Sequence, residues 1–356
     1  LVDEALANKG KAMGMLGLLP AGTDLRAHIV SMYTHQAAGL YDPYTKTLYV
    51  ADWMPAQAQA PILAHELVHA LQDQHYDLVR FLDGVEDDSE AQAARQALIE
   101  GEALAVMLEY QLQEQGLPVT ALGDLTTWVD VLVAQVRQSD PSIQTMPAFL
   151  VEWMLFPYTH GMMFVQAVRQ ERAWSGFDRL YEDPPRSTEQ IMHPAKYLVD
   201  RDDPTPVQLG DLRSPLGPSW TKRDEDMVGE FAIAWLVRQH VDADTAAAAS
   251  GGWDGDRYHF YEDRTTGARL LAWRSAWDSE EDAREFLAAW RLAMQVKFPQ
   301  AKPVVDRATQ WQTETGQVWL EQRGSAVLII AADGELVLET LTGTLWQNAA
   351  GERTSR

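Results

Sequence analysis

The sequence predicts an α+β chain, with a mainly helical N-terminal domain carrying one small hairpin and then an α+β C-terminal domain. Three observations carry this reading. Apolar residues recur at helical spacing from Ile62 to Leu112 and again over 147–172. Runs of strand-forming residues bounded by turn residues lie near 47–50 and recur in the last third. Residues 200–220 are rich in Pro and Asp and lack a periodic apolar pattern, which marks a boundary. At 356 residues the chain is about twice the rough 150-residue domain size, so one large or two medium domains are expected. The expected division is a domain over 1–200, a linker over 201–223 and a second domain over 224–356.

Residues 1–40 read as short helices, with Leu16, Leu18 and Leu19 ahead of a Pro20-Ala21-Gly22 turn. Leu40–Val50 is expected to be a hairpin with an exposed edge, because Tyr41-Asp42-Pro43 favours a turn and Thr47, Leu48, Tyr49 and Val50 favour strand. Pro61 suits a first helical turn, and Ile62, Leu63, Leu67, Ala70 and Leu71 continue the pattern, which predicts a helix over 61–76. After the acidic stretch 83–88, Ser89 with Gln92 fits a capping box for a second helix. Ala94, Ala97, Leu98, Gly101, Leu104, Ala105, Leu108 and Leu112 carry that helix to Gln115, and Gly116 and Pro118 end it. Further helices are predicted around 125–138 and 147–172. In the second domain the expectations are a helix over 224–248, two strands over 256–277 around Thr266-Gly267, and an amphipathic helix from Ser279 to Met294. Strands follow within 316–346, among them Ala326–Ala331 and Leu336–Glu339 joined across Asp333-Gly334.

The formal net charge of −23 repels phosphate backbones and anionic lipid, so neither a nucleic-acid partner nor an anionic membrane surface is expected. The absence of cysteine excludes disulfides and thiolate metal ligands. No apolar run is long enough for a membrane-spanning helix. The start at Leu1-Val2-Asp3, without methionine, is what removal of a signal peptide would leave, and export is the expectation drawn from it.

Chemistry enters at Ala64-His65-Glu66-Leu67-Val68-His69-Ala70, an H-E-x-x-H pattern on a predicted helix. Residues four apart lie one turn apart on one face, so His65 and His69 can reach a single ion. Glu66 is offset by about a quarter turn and can stand beside the metal without ligating it. The plain alternative is a surface helix with two incidental histidines, but the apolar flanks argue against an exposed face. The expected cofactor is one zinc ion.

A third ligand is required, and His75 and Glu100 are the candidates. His75 has the spacing of H-E-x-x-H-x-x-G-x-x-H, but Gln72 occupies the glycine position that lets such a chain turn back. On a continued helix His75 would lie about 15 Å along the axis from His65. Glu100 lies on the second helix in Leu98-Ile99-Glu100-Gly101-Glu102-Ala103, where Gly101 would permit close approach to the first. Its plain reading is a solvated helix residue. Glu102 falls about 200° around the helix from it.

H-E-x-x-H followed some thirty residues later by E-G-x-A resembles the gluzincin metallopeptidases, which have a zincin-like fold. The resemblance implies Glu100 as third ligand. Gly39-Leu-Tyr-Asp-Pro43, His69-Ala-Leu-Gln-Asp-Gln74 and Ser187-Thr-Glu-Gln-Ile-Met-His-Pro194 further resemble a group of uncharacterised bacterial metallopeptidases over roughly 40–200. A weaker likeness lies around Gly252–Asp256 and Trp277–Glu280.

Three protein ligands leave a fourth position for water, whose pKa zinc lowers to about 7. Glu66 is then expected to take the water's proton as it attacks a peptide carbonyl and to return it to the leaving amine. The expected partner is a protein or peptide substrate, and the expected activity is that of an endopeptidase. Tyr158, His160 and His193 are candidate donors to the developing oxyanion. Tyr158 and His160 are read near a helix start, and His193 follows a Ser187-capped turn. Each has a plain reading as a structural hydrogen-bonder. Asp73, four residues after His69, is a candidate to orient an imidazole, against a plain role as a solvated carboxylate. The strand over 47–50 is either an ordinary sheet edge or a place for an extended substrate. Gly251–Asp256 supplies carboxylates but lacks calcium-loop spacing, so a glycine-rich turn is expected. Two alternatives stand beside the peptidase: an inactive binding or regulatory protein with a structural metal, and a metal-dependent hydrolase of a non-peptide substrate. The intact Glu66 and the open fourth position favour catalysis.

Overall fold

The computed structural model describes residues 2–35, 39–52, 55–85, 88–117, 131, 133–134, 141–172, 174–304 and 307–347. The predicted helix over 125–138 lies almost wholly outside the described residues. The chain is mixed, with a helical N-terminal part and a sheet-rich C-terminal part, as α+β requires. It divides into two units, residues 26–202 and residues 1–25 with 203–356.

In the helical unit, α2 (Leu25–His35) leads to the hairpin β1 (Gly39–Asp42) and β2 (Thr47–Val50), paired antiparallel with Tyr41 opposite Leu48. Helix α3 spans Ala56–Tyr76 and starts one turn earlier than predicted, because Pro55, not Pro61, takes the position ahead of it. Asp77 ends α3 in the left-handed region and caps the short α4 (Leu78–Asp83) by accepting from the Arg80 N–H. Helix α5 (Ser89–Glu114) is capped by Asp88, which accepts from the Ala91 N–H at 2.9 Å; Ser89 is already helical. Then come α6 (Pro141–Thr145), α7 (Ala148–Arg172), α8 (Asp178–Glu182), α9 (Thr188–Met192) and α10 (Ala195–Leu198).

Helix α5 packs between α3 and α7, and its small residues make that possible. Ala94, Ala97, Ala103 and Ala105 are fully buried. At the crossing with α7 the two backbones touch. A Cβ on Gly101 would lie 2.8 Å from the Met162 nitrogen and closer still to the Gly161 carbonyl; one on Gly161 would meet the Ala97 carbonyl. Gly101 therefore serves the approach of α5 to α7, not to α3 as the sequence reading had it. The segment Ser187-Thr188-Glu189-Gln190 is buried against α5, where Glu90 accepts from both the N–H and the hydroxyl of Thr188 at 2.8 Å.

In the other unit, α1 (Val2–Leu16) leads the chain and α11 (Arg213–Leu216) precedes a seven-stranded antiparallel sheet in the order β3-β4-β5-β9-β8-β7-β6. The strands are β3 (Trp220–Asp226), β4 (Trp253–Asp263), β5 (Arg269–Trp277), β6 (Lys302–Val304), β7 (Arg307–Gln312), β8 (Gly316–Arg323) and β9 (Ala326–Asp333). Helices α12 (Gly229–Arg238) and α13 (Ala243–Ser250) separate β3 from β4, α14 (Glu280–Lys297) follows β5, and α15 (Leu338–Gln347) follows β9. The central strand β5 is buried along most of its length, and its run over 270–273 is apolar. Trp273 packs with Phe286 and Trp290 of α14, while Leu270 and Ala272 join Leu341, Leu345 and Trp346 of α15.

Several expectations for this unit are corrected. Residues 1–25 belong here rather than with the helical domain, and Lys9 and Lys11 on α1 pair with Asp226 and Glu262. Residues 201–223 are not a linker: Leu212 is fully buried and its N–H donates to the Tyr261 hydroxyl at 3.1 Å. The predicted helix 224–248 is the end of β3 followed by α12 and α13. The charged run of β3 is tolerated because an edge strand keeps one side in water, where Glu225 pairs with Arg257. Leu336–Glu339 does not form a strand. Gly334 turns the chain at φ +72° into α15, and β9 pairs instead with β8 across Gly324.

The likeness at Gly252–Asp256 and at Trp277–Glu280 falls on one place, because Trp253 and Trp277 are register partners and the Asp278 N–H donates to Gly252 O at 2.8 Å. The expected glycine-rich turn is confined to Gly251 and Gly252; residues 253–256 open β4, and their carboxylates are used internally. Asp256 accepts from the N–H groups of Val228 and Gly229 and from the Trp253 indole at 2.7–2.8 Å.

Candidate metal centre

Three donor atoms converge between α3 and α5. His65 Nε2 and His69 Nε2 are 3.0 Å apart, and Glu100 Oε2 lies 3.2 Å from the first and 3.4 Å from the second. The rings are T-shaped, at 89° to each other, with centroids 4.6 Å apart. Donors about 2.0–2.2 Å from a tetrahedral zinc would be separated by about 3.3 Å. The observed edges fit that size. Glu100 Oε2 is also buried with no aligned hydrogen bond, the condition of an atom shaped for a cation. The donor set thus suits one divalent cation. Burial alone would push the Glu100 carboxyl up, but His65 and His69 outweigh it and hold it down at about 2.

Glu66 stands beside this group. It is buried, and the Tyr41 N–H donates to its Oε2 at 2.7 Å. This contact needs β1 to lie against α3, and Gly39 allows it. A Cβ there would meet Ile62 Cγ2 at 2.6 Å and Glu66 Cγ at 2.9 Å. The hairpin is tied to α3 a second time through Asp73, which accepts from the Tyr41 hydroxyl (2.7 Å), the Lys46 ammonium (2.6 Å) and the Leu78 N–H (3.1 Å). Burial and this hydrogen bond push the Tyr41 hydroxyl up to about 12.

The other residues singled out in the sequence divide plainly. Among the described residues the donor group consists of His65, His69 and Glu100; His75, His160 and His193 are not members. His75 is exposed, and its Nδ1 bonds the carbonyl of Leu71 one turn back at 2.8 Å. Tyr158 does reach the centre, its ring 6.4 Å from that of His65 and inclined by 26°. His160 does not share that face. It sits in mid-helix rather than near a helix start, two residues or about 200° around α7 from Tyr158, and stacks on Phe156 at 4.9 Å. His193 ends α9, its N–H bonded to Glu189 O at 2.7 Å. Among the described residues Asp73 orients no imidazole; its bonds run to the hairpin and to α4. Gln72, passed over in the sequence as a residue that merely continues the helix, is the one beside His69. A glutamine on a helix carries no signal of its own; only the packing of α3 on α5 reveals it.

The fold and the site therefore define an α+β protein with a two-histidine, one-glutamate donor set on paired helices. Residues 216–342, within the sheet-bearing unit, match a family model described as a domain of unknown function (DUF8575). No curated protein and no solved structure matches the chain.

Proposed function

We propose that the helical unit, residues 26–202, is a zinc-dependent peptidase in which Glu66 activates the attacking water. The observation that carries this is the convergence of two imidazole nitrogens and one carboxylate oxygen within 3.4 Å of one another, beside a buried glutamate that is not one of the three. A structural zinc site normally closes all four positions with protein atoms. Among the described residues this donor set offers three. When bound, zinc supplies Lewis acidity that acidifies a water and polarises a substrate carbonyl.

His65, His69 and Glu100 hold the cation. Glu66 accepts the proton of the attacking water and delivers it to the leaving amine. The Tyr41 N–H fixes one oxygen of that carboxylate and so sets its plane. Tyr158, next to His65, is the best placed of the three sequence candidates to donate to the oxyanion. The E-G-x-A match at Glu100 supports the same assignment.

The test is cleavage of an unfolded protein by the purified chain, zinc-loaded and then chelator-treated. Glu66→Gln is expected to keep zinc and lose cleavage by about 10²–10⁴-fold, the range for a general base. Unchanged cleavage by zinc-loaded Glu66→Gln, or none by the zinc-loaded parent, would overturn the proposal.

A further inference from the structure

Gln72 is buried, 3% exposed, between α3 and α5. Its amide makes three contacts. Nε2 donates to Ile99 O (3.1 Å) and to Glu102 Oε2 (2.8 Å), and Oε1 lies 2.9 Å from His69 Nδ1. Ile99 O is a backbone carbonyl and Glu102 Oε2 a carboxylate, so both require the nitrogen of the amide. The oxygen is then the atom that faces His69. An amide oxygen only accepts, so His69 carries a proton on Nδ1 in either charge state, and its Nε2 is the atom turned to Glu100 and His65. Glu102 is fixed in turn by the Tyr181 hydroxyl, which donates to the same Oε2 at 2.5 Å.

An apolar side chain of similar volume would fill this space without needing three hydrogen-bond partners. The partners present form a directed chain from a carboxylate, through an amide, to the far nitrogen of a donor imidazole. Outer contacts of this kind set a ligand's tautomer and ring plane. Resting on the metal reading above, we propose that Glu102 and Gln72 form a relay that locks His69 in its cation-binding tautomer, making Gln72 a positioning residue.

The relay predicts a swap. Gln72→Glu keeps an acceptor for His69 Nδ1 but sets two carboxylates against each other. Adding Glu102→Gln supplies an N–H to one of them and restores the link from position 102 to His69, while Ile99 O stays without its donor in both variants. The measurements are zinc affinity by chelator competition and the visible spectrum of the cobalt(II)-loaded protein, which reports ligand geometry. Melting of the metal-free proteins is followed in parallel. Gln72→Leu is expected to weaken zinc about 10–100-fold and to alter the cobalt spectrum. The double variant Gln72→Glu/Glu102→Gln, which lacks only the bond to Ile99 O, is expected to recover part of both.

Parent-like zinc affinity in Gln72→Leu, or a double variant that binds no better than Gln72→Leu, overturns the relay. Should Gln72→Leu fail to fold, the near-isosteric Gln72→Met takes its place against the double variant. His69→Ala separates the two readings. Zinc uptake by the parent and not by His69→Ala, with parent-like affinity in Gln72→Leu, removes the relay alone. A parent that takes up no zinc removes the metal reading itself.

Discussion

Gly101→Ala tests whether the crossing of α5 and α7 controls the donor cluster. The added Cβ would fall 2.8 Å from the Met162 nitrogen and nearer to the Gly161 carbonyl. Ordinary contacts lie at about 3.5–4.0 Å, so the helices must separate by about 1 Å. The obstacle is backbone rather than the tip of a flexible side chain, which puts the cost near the upper end of the usual overpacking range, about 3 kcal/mol. In a domain of 150–250 residues each kcal/mol moves Tm by about 2–4 °C, so a fall of about 6–12 °C is expected in the chelator-treated protein. Glu100 is the preceding residue on the same helix. Ligand distances tolerate only about 0.2 Å, so the same shift should weaken zinc by about tenfold or more. Melting followed by far-ultraviolet circular dichroism and chelator competition read the two effects. The sign is decisive, because without the crossing a Gly→Ala change inside a helix stabilises by about 1 kcal/mol. An unchanged or higher Tm refutes the reasoning.

Other outcomes follow from the same geometry. Gly39→Ala pushes β1 away from Ile62 and Glu66, and should lower kcat while leaving zinc affinity near the parent value; equal losses in both would show that β1 supports the whole site rather than the base. In the metal-free protein burial pulls the His69 pKa down, but Glu100, Gln72 and Glu66 outweigh it and raise it from 6.5 to about 9. That contribution to metal-free stability is full below 6.5 and disappears as pH rises through about 9. Zinc requires the neutral ring, so loading near neutral pH should release a proton, and affinity should rise about tenfold per pH unit until it levels near 9; pH-independent affinity from 7 to 9 counts against this. Asp256→Asn turns an acceptor into a donor against the N–H groups of Val228, Gly229 or Trp253, and should cost about 1–3 kcal/mol, measured by denaturant unfolding.

What was legible in the sequence was mostly local. Two histidines one turn apart need only a helix to converge, and that helix announced itself through Ile62, Leu63, Leu67 and Leu71. Glu100 became visible through its resemblance to a known pattern, and the structure brings it to both rings. The long apolar pattern of α5, and the amphipathic run of α14 from Ser279, were likewise written in short-range order. What escaped was decided over distance. The pairing of Lys9 and Lys11 with Asp226 and Glu262 joins residues more than two hundred apart, and no local signal assigns 1–25 to the sheet unit. The run Trp220–Asp226 looks helical or irregular by composition until β4 lies beside it. Leu336-Val-Leu338 suits strand and helix equally, and the left-handed turn at Gly334 decides between them. Asp73 and Gln72 are adjacent polar residues on α3, both within about a turn of His69. Asp73 is drawn to Tyr41 and Lys46 of the hairpin segment and Gln72 to Ile99 and Glu102 of α5, so which of them bonds the imidazole is settled by distant partners.

The grip on Glu66 comes from the main chain of Tyr41, not from its ring. Any amino acid except proline carries the same N–H at position 41, so most substitutions there keep a donor for Glu66, the proposed base, and lose only what the Tyr41 side chain adds. The vulnerability has moved two residues upstream, to a site where hydrogen is the only side chain small enough. Random mutagenesis scored by proteolysis should therefore find position 39 less tolerant than position 41, where Phe spares the N–H and loses only the bond to Asp73.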